Sequence, residues 1–370
     1  MQPPQGRDVI QDAMPTNSPR SLTVRAGRDA LQAIRRDGAT ADTFSTLLGA
    51  SGGPKWLVLG AIDRVLARRL VAPRTTPLHA LGTSIGAFRH TCLAQQDPFA
   101  ALDRFEEAYV AQAYESRPTP AEVTAESRRI FDVLLGADGV AEALAHPTLR
   151  LHVGTVRSRG PAASDARASL ALGLGLAATA NAASRGLLGL VFERVVFHAT
   201  PWPAFLFDDL ATTHVRLGAH NLLAATMASG SIPLVMSAIR DVPGAPRGLY
   251  RDGGITDYHF AMDFEAPPGL VLYPHFFDRI VPGWFDKALA WRKPSGALMR
   301  RTVFVAPSPA FVATLPGAKV PDRDDFATMP TAERQARWHR VLGECARLAD
   351  ELEGLIQDNR WDEVAEPFGD

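Results

Sequence analysis

Cysteine is nearly absent from this chain. Cys92 and Cys345 are the only two in 370 residues, and they lie far apart in sequence. That count excludes a disulfide framework and any cysteine-rich zinc site. The ten histidines form no His-Glu-x-x-His pattern, so the helix-borne zinc motif with that spacing is absent. Lysine is scarce: Lys55, Lys287, Lys293 and Lys319 are the only ones among 39 basic residues. The arginine excess reads as a GC-rich coding bias. Charge of one sign is also lacking. The 39 basic and 40 acidic residues leave a net charge of −1, which removes a global electrostatic drive toward nucleic acid. No stretch of about 18 residues is apolar and uninterrupted, which argues against a transmembrane helix. Met1–Ser21 is polar, has no apolar segment of the secretory kind, and is expected to be a disordered tail. No internal repeat or low-complexity linker breaks the chain. The expectation is a soluble cytoplasmic protein that binds no nucleic acid and touches membranes only transiently, at their surface.

Material for a core is plentiful. Hydrophobic residues make up 46% and charged residues 21%, an ordinary globular mixture that needs no covalent staples. Leu22–Arg25 predicts a short strand and Arg28–Arg36 a helix. Phe44–Gly49 is a compact apolar run, as a buried strand requires. Trp56–Leu70 carries apolar residues at helical spacing. Leu78–Gly82 predicts a second strand and Ile85–Gln95 a second helix. Strand, glycine turn, helix, strand, tight turn, helix is the start of an α/β fold with parallel strands. Pro98–Gly136 reads as mostly helical. Leu149–Val156, Arg194–Ala199, His214–Leu217, Gly248–Arg251, Leu270–Tyr273 and Thr302–Ala306 are further strand candidates, and Leu222–Ser229 a short helix. Thr331–Gln357 predicts one long amphipathic helix. The expected organisation is an α/β domain over 22–330, with a C-terminal helix and tail over 331–370 packed on it.

Three segments carry chemistry. Gly82-Thr83-Ser84-Ile85-Gly86 is a G-x-S-x-G between a predicted strand and a predicted helix, the context of a nucleophile elbow. Small neighbours at Gly82 and Gly86 let strand and helix approach, and Ser84 then projects at a helix N-terminus. Ser51-Gly52-Gly53-Pro54-Lys55 follows the Phe44–Gly49 run. Its paired glycines can turn bare N–H groups one way, as an oxyanion hole needs. A nucleotide-binding loop wants Gly before Lys and Ser or Thr after it, whereas Pro54 and Trp56 flank Lys55. Tyr250-Arg251-Asp252-Gly253-Gly254 offers Asp252 as a base for Ser84, or simply a turn. Gly173 to Ala178 matches G-x-G-x-x-A, but loop-like residues precede it where a dinucleotide site needs a strand. The apolar Ala168–Phe192 stretch reads as core or lid, with lining of an acyl pocket or touching a membrane as its functional alternatives. Trp202, Phe205 and Phe207 could edge the same pocket or fill core.

In this order the segments resemble the patatin-like phospholipase family: a glycine-rich oxyanion loop, then G-x-S-x-G, then D-G-G. Ala228-Ser229-Gly230-Ser231-Ile232-Pro233 is similar to that family's Ala-Ser-x-x-x-Pro block. The resemblance spans about Phe44 to His259. It implies a three-layer α/β/α fold with a mostly parallel sheet, a Ser84–Asp252 dyad, oxyanion donors at Gly52 and Gly53, and motif support from Lys55, Gly82, Gly86, Gly253 and Gly254. It also implies hydrolysis of lipid acyl esters with no metal or organic cofactor. General carboxylesterase, thioesterase or acyltransferase chemistry would use the same dyad, and a non-catalytic lipid-binding module would keep the fold. The sequence departs from the family pattern at Ser51, at Ile255–His259 and beyond Asp263. His259 lies close after Asp252 and is expected at the surface or behind the site. His275 and His339 also follow Asp252, in the order of a Ser-Asp-His triad.

Overall fold

Strands buried on both faces need apolar residues at nearly every position, because a parallel sheet covered by helices leaves no wet side. The runs 270–274 and 302–307 have that character, 44–49 and 78–83 admit Ser45, Thr46, His79 and Thr83 among their apolar residues and glycines, and the four form the middle of the sheet in the computed structural model. The structure describes residues 20–115, 117–205, 207–264 and 267–368. The expected N-terminal tail lies outside them except for Arg20 and Ser21.

In chain order the strands are β1 (Leu22–Ala26), β2 (Phe44–Gly49), β3 (Leu78–Thr83), β4 (Leu149–Ser158), β5 (Phe192–His198), β6 (Thr212–Arg216), β7 (Ile239–Arg240), β8 (Leu249–Asp252), β9 (Leu270–Pro274), β10 (Thr302–Pro307) and β11 (Glu366–Pro367). They make one 11-stranded sheet of order β11-β1-β10-β9-β2-β3-β4-β5-β6, with β8 paired to β4 and β7 to β8. The block β10-β9-β2-β3-β4 is parallel throughout. β1 joins antiparallel to β10, and β5 and β8 antiparallel to β4. The fold is therefore α/β with a mixed, mostly parallel sheet and flanking helices. β2 is followed by β3 on one side, while β9 on its other side leads away to β10. The crevice beyond the carboxyl ends of such strands is where open α/β sheets bind ligands.

Local structure departs from the sequence expectation in informative places. The predicted helix 56–70 is a 3₁₀ segment (Gly53–Leu59), an α-helix (Gly60–Leu66) and a π-turn (Ala67–Val71) in succession. Trp56, Leu57, Val58 and Leu59 are all fully buried, which one amphipathic face cannot achieve. The expected C-terminal helix divides at buried Cys345 into Thr331–Glu344 and Ala346–Gln357. Its apolar stripe, including Trp338, Val341, Leu348 and Leu352, joins the main core. β7 and β11 have two residues each, too short to show a period.

Most apolar side chains form one large cluster. A smaller cluster lies under the helix Arg167–Ala183, built from Leu170, Leu174, Ala177, Leu188, Phe192 and Ile255, with Trp284 and Phe285 packed on it. The opposite side of that helix is bare: Leu172 and Leu176 are exposed, as are Leu187 and Leu190 just after it. A second feature crosses four strands. His79, His152, His198 and His214 form a chain of ring-nitrogen hydrogen bonds of 3.0, 2.9 and 2.9 Å. Phe205 packs edge-on against the first two rings. Among the described residues no helix is long and apolar enough to cross a membrane.

Candidate active site

Ser84 occupies the step from β3 into the helix Ile85–Leu93. Its φ of 52° and ψ of −128° lie in a region that a residue with a Cβ rarely enters, at a cost of ~1–3 kcal/mol that the surroundings must sustain. They do so through hydrogen bonds. The Ser84 N–H donates to Ser229 Oγ (2.8 Å), whose hydroxyl donates to the Gly154 carbonyl on β4 (2.6 Å). The sharp turn also brings backbones together. A Cβ at Gly82 would stand 2.6 Å from the Ala87 nitrogen, and one at Gly86 would collide with the Gly49 carbonyl. The sequence pattern G-x-S-x-G thus records two close approaches and one strained residue.

Asp252 ends β8, opposite Thr155 on β4. The Ser84 hydroxyl donates to Asp252 Oδ2 at 2.8 Å, and the Gly254 N–H donates to Oδ1 at 2.7 Å. The Asp252 and Gly253 N–H groups bond to the Ser231 and Ser229 carbonyls. One segment, Ala228–Pro233, therefore cradles both partners. Gly253 has no room for a side chain, since a Cβ there would run into the Gly154 carbonyl. Behind it, Arg194 on β5 clamps Asp257 with two bonds of 2.7 Å. Burial pushes the Asp252 carboxyl up to about 6, against the opposing pull of the Ser84 and Gly254 hydrogen bonds and of the Arg323 and Lys287 charges. A buried carboxylate that still ionises near neutrality, bonded to a strained serine, is suited to accept a proton.

The loop after β2 faces this pair. The Ser51 hydroxyl donates to Thr83 Oγ1 (2.9 Å), which donates to the Asp257 carbonyl (2.8 Å), tying the loop to the residue before Ser84. Gly52 and Gly53 stand at the start of the 3₁₀ segment, where N–H groups have no acceptor within the helix. Gly53 has a φ of 55°, and a Cβ at Gly52 would lie 2.5 Å from the Phe276 ring. Lys55 is half-buried, and its ammonium lies 5.7 Å from the centre of the Phe277 ring.

Ser84, Asp252, Gly52, Gly53, Gly254 and Lys55 all line one cavity of about 210 Å³. Gly82, Gly86 and Gly253 support its floor from outside. Ile232, Pro233, Ile255, Tyr258 and Trp284 add apolar wall. Lys287 and the run Asp322-Arg323-Asp324 also line it, and sequence reading did not single them out. They lie in the region without a motif, so no spacing marked them.

The histidines do not complete a triad. Of the two places expected for His259 it takes the one behind the site: it is fully buried, stacked on Tyr258, and its Nδ1 accepts the Val281 N–H at 2.8 Å. His275 is buried beside it, with Nδ1 accepting the Phe277 N–H. His339 is exposed on the C-terminal helix. None of them lines the cavity or bonds to Asp252. The Ala168–Phe192 stretch does not line the cavity either: its inner face is core, and only Ile255 and Trp284 touch both cluster and cavity. Phe205 fills core, whereas Trp202 is exposed. Among the described residues no group of three or more His, Cys, Asp or Glu side chains is placed to hold a metal ion.

No family model and no curated protein sequence matches this chain. Among solved structures it is similar to VipD from Legionella pneumophila, with 12% identity and a TM-score of 0.36, over 97% of this chain and 77% of that one. It is also similar to human GIVD cytosolic phospholipase A2, with 11% identity and a TM-score of 0.42, over 93% of this chain and 66% of that one. At such identities the chemistry of Ser84 and Asp252 has to be read from this chain's own geometry.

Proposed function

We propose that the protein is a serine acyl-ester hydrolase acting through Ser84 and Asp252. The observation that carries the reading is the 2.8 Å hydrogen bond from Ser84 Oγ to Asp252 Oδ2, on a strained elbow that opens into a cavity. Ser84 Oγ attacks the ester carbonyl carbon while its proton passes to Asp252 Oδ2. The carbonyl oxygen becomes an oxyanion and takes N–H bonds from Gly52 and Gly53. Collapse breaks the bond to the alcohol, which leaves with the proton held by Asp252. A water then gives its proton to Asp252 and attacks the acyl-enzyme, releasing the acid and restoring Ser84. The order and content of the four motifs, which resemble those of patatin-like phospholipases, support a lipid acyl ester as substrate.

A fluorophosphonate probe tests the nucleophile. Wild type should label and Ser84→Ala should not, with both melting alike. Equal labelling of the two would remove Ser84 from the mechanism.

A further inference from the structure

The cavity's cations carry an inference about the substrate, and it rests on the hydrolase reading above. Lys55 stands in the wall, and Lys287 and Arg323 stand exposed at the mouth. The Arg323 guanidinium comes within 3.9 Å of where a Cβ at Gly53 would be, so it abuts the oxyanion loop. The Lys287 ammonium sits 3.8 Å over the Tyr258 ring. Among the described residues none of the three has a carboxylate within 4.0 Å. Of the acidic lining residues, Asp252 is bonded to Ser84 and Gly254, and Asp322 is paired with Lys319. Asp324 has neither an ion pair nor a side-chain hydrogen bond among the described residues, so it stands as a second unpaired carboxylate in the lining. A half-buried cation without a counter-ion is costly, and burial holds Lys55 below its ordinary pKa. With Asp322 offset by Lys319, the lining sets three unpaired cations against the carboxylates of Asp252 and Asp324, an excess of positive charge that favours an anion in this concave site.

We infer that Lys55, Lys287 and Arg323 form an anion subsite that selects acyl esters whose alcohol portion is net negative over zwitterionic and neutral ones. With the carbonyl carbon at Ser84 and its oxygen at the Gly52–Gly53 loop, the leaving alcohol points to the mouth, where Lys287 and Arg323 meet its phosphate or carboxylate. A guanidinium and an ammonium lining the same cavity suit an oxyanion with several acceptors. At about 210 Å³ the compartment is smaller than the ~300–1,000 Å³ of drug-sized ligand sites, so recognition is centred on the group next to the scissile bond.

The test uses three soluble esters with one acyl chain: butyrylglycerol phosphate, butyrylglycerophosphocholine and butyrylglycerol. Wild type should prefer the first by at least tenfold in kcat/KM. In the double variant Lys287→Met/Arg323→Gln the preference should fall to within about threefold, and in Lys287→Arg it should persist. Loss of nearby charge also alters Asp252, but that change is shared by all three esters and cancels in the ratio. Equal turnover of the three by wild type, or an unchanged ratio in the double variant, overturns the subsite and leaves the hydrolase intact. Inorganic phosphate titrated onto Ser84→Ala gives a readout without turnover. Binding that disappears with the double substitution, with no ester cleaved by wild type, would keep the subsite and overturn the hydrolase. Long-chain phosphatidate in phosphatidylcholine vesicles separates the sources: cleavage there assigns a lipid headgroup, and cleavage of the soluble phosphate ester alone assigns a free small molecule.

Discussion

Asp252→Asn should inactivate the enzyme and stabilise it at the same time. The carboxyl is held at about 6, against an ordinary value of 3.8, chiefly by burial. The folded state therefore keeps an extra proton between pH 3.8 and 6, and the stability linked to that proton is lost as pH rises through this window. At ~1.4 kcal/mol per pH unit, the ionised carboxylate costs the folded state up to ~3 kcal/mol above pH 6. Asparagine fits the same space. Its oxygen can accept the Gly254 N–H and its NH₂ can donate to Ser84 Oγ, so both hydrogen bonds survive without the charge. Unfolding entropy of ~2 cal/mol/K per residue converts 3 kcal/mol into a rise in Tm of ~4 °C for a chain of this length. The assay is a thermal melt of wild type and variant at pH 8 and again at pH 4. A gain at pH 8 that vanishes at pH 4, with ester hydrolysis down by ~10²–10⁴-fold, is the expected pattern. A variant that melts lower at pH 8, or that gains equally at both pH values, would refute the assignment of Asp252 as a buried base under electrostatic strain.

The same carboxyl sets an acid limb on activity: kcat/KM should rise through an apparent pKa near 6 and reach about a tenth of its plateau at pH 5, and a flat profile from pH 5 to 8 would contradict it. Gly86→Ala should lower the yield of folded protein or cost several kcal/mol, because its Cβ must displace the Gly49 backbone, which a denaturant titration reads directly. Leu174→Asp places a charge in the smaller core and should destabilise strongly, whereas Leu172→Asp, on the exposed side of the same helix, should shift Tm by little. His90 and His275 are fully buried and held at about 3, so unfolding takes up protons below pH 6.5. Stability should fall by roughly 3 kcal/mol per pH unit from these two as pH drops from 6 to 4, and a constant denaturation midpoint over that range would show that they are not buried neutral.

Sequence legibility followed the physics of each element. β9 and β10 were readable because a strand buried on both faces is apolar at nearly every position, and β2 and β3 because short runs with few charges end at glycine turns. Their neighbour order was not, since β9 pairs with β2 across more than two hundred residues and no local pattern encodes that. The three pitches in 53–71 escaped a helical period, because Trp56–Leu59 are buried on all sides and carry no amphipathic face. At the site, Ser84, Gly82, Gly86, Gly253 and Gly254 were legible for one reason. Backbone crowding leaves few residue types possible at a tight turn, and that restriction prints a motif. Of the two places expected for His259, the surface and a position behind the site, the structure has the second: it is buried and stacked on Tyr258, a cavity-lining residue. Its Nδ1 takes the Val281 N–H inside the fold.

What did not print a motif is what differs most in consequence. Lys287 and Arg323 reach the cavity from exposed segments of the chain beyond β9, where many side chains would be sterically acceptable. The proposed catalytic pair is the opposite case. Ser84 is over-determined by Ser229, Gly154, Gly82 and Gly86, and Asp252 by Ser231 and Gly254, so a change at any of these disturbs the geometry of all. Among the described residues neither Lys287 nor Arg323 is hydrogen-bonded to Ser84 or Asp252, so the charge at the cavity mouth can change with the Ser84–Asp252 contacts kept. On the proposed hydrolase reading, the reaction type is carried by the crowded strand ends, and the choice of ester by the loops that bear Lys287 and Arg323. It follows that substitutions at Lys287 and Arg323 should change which ester is cleaved, whereas substitutions at Ser229 or Gly253 should change whether any is.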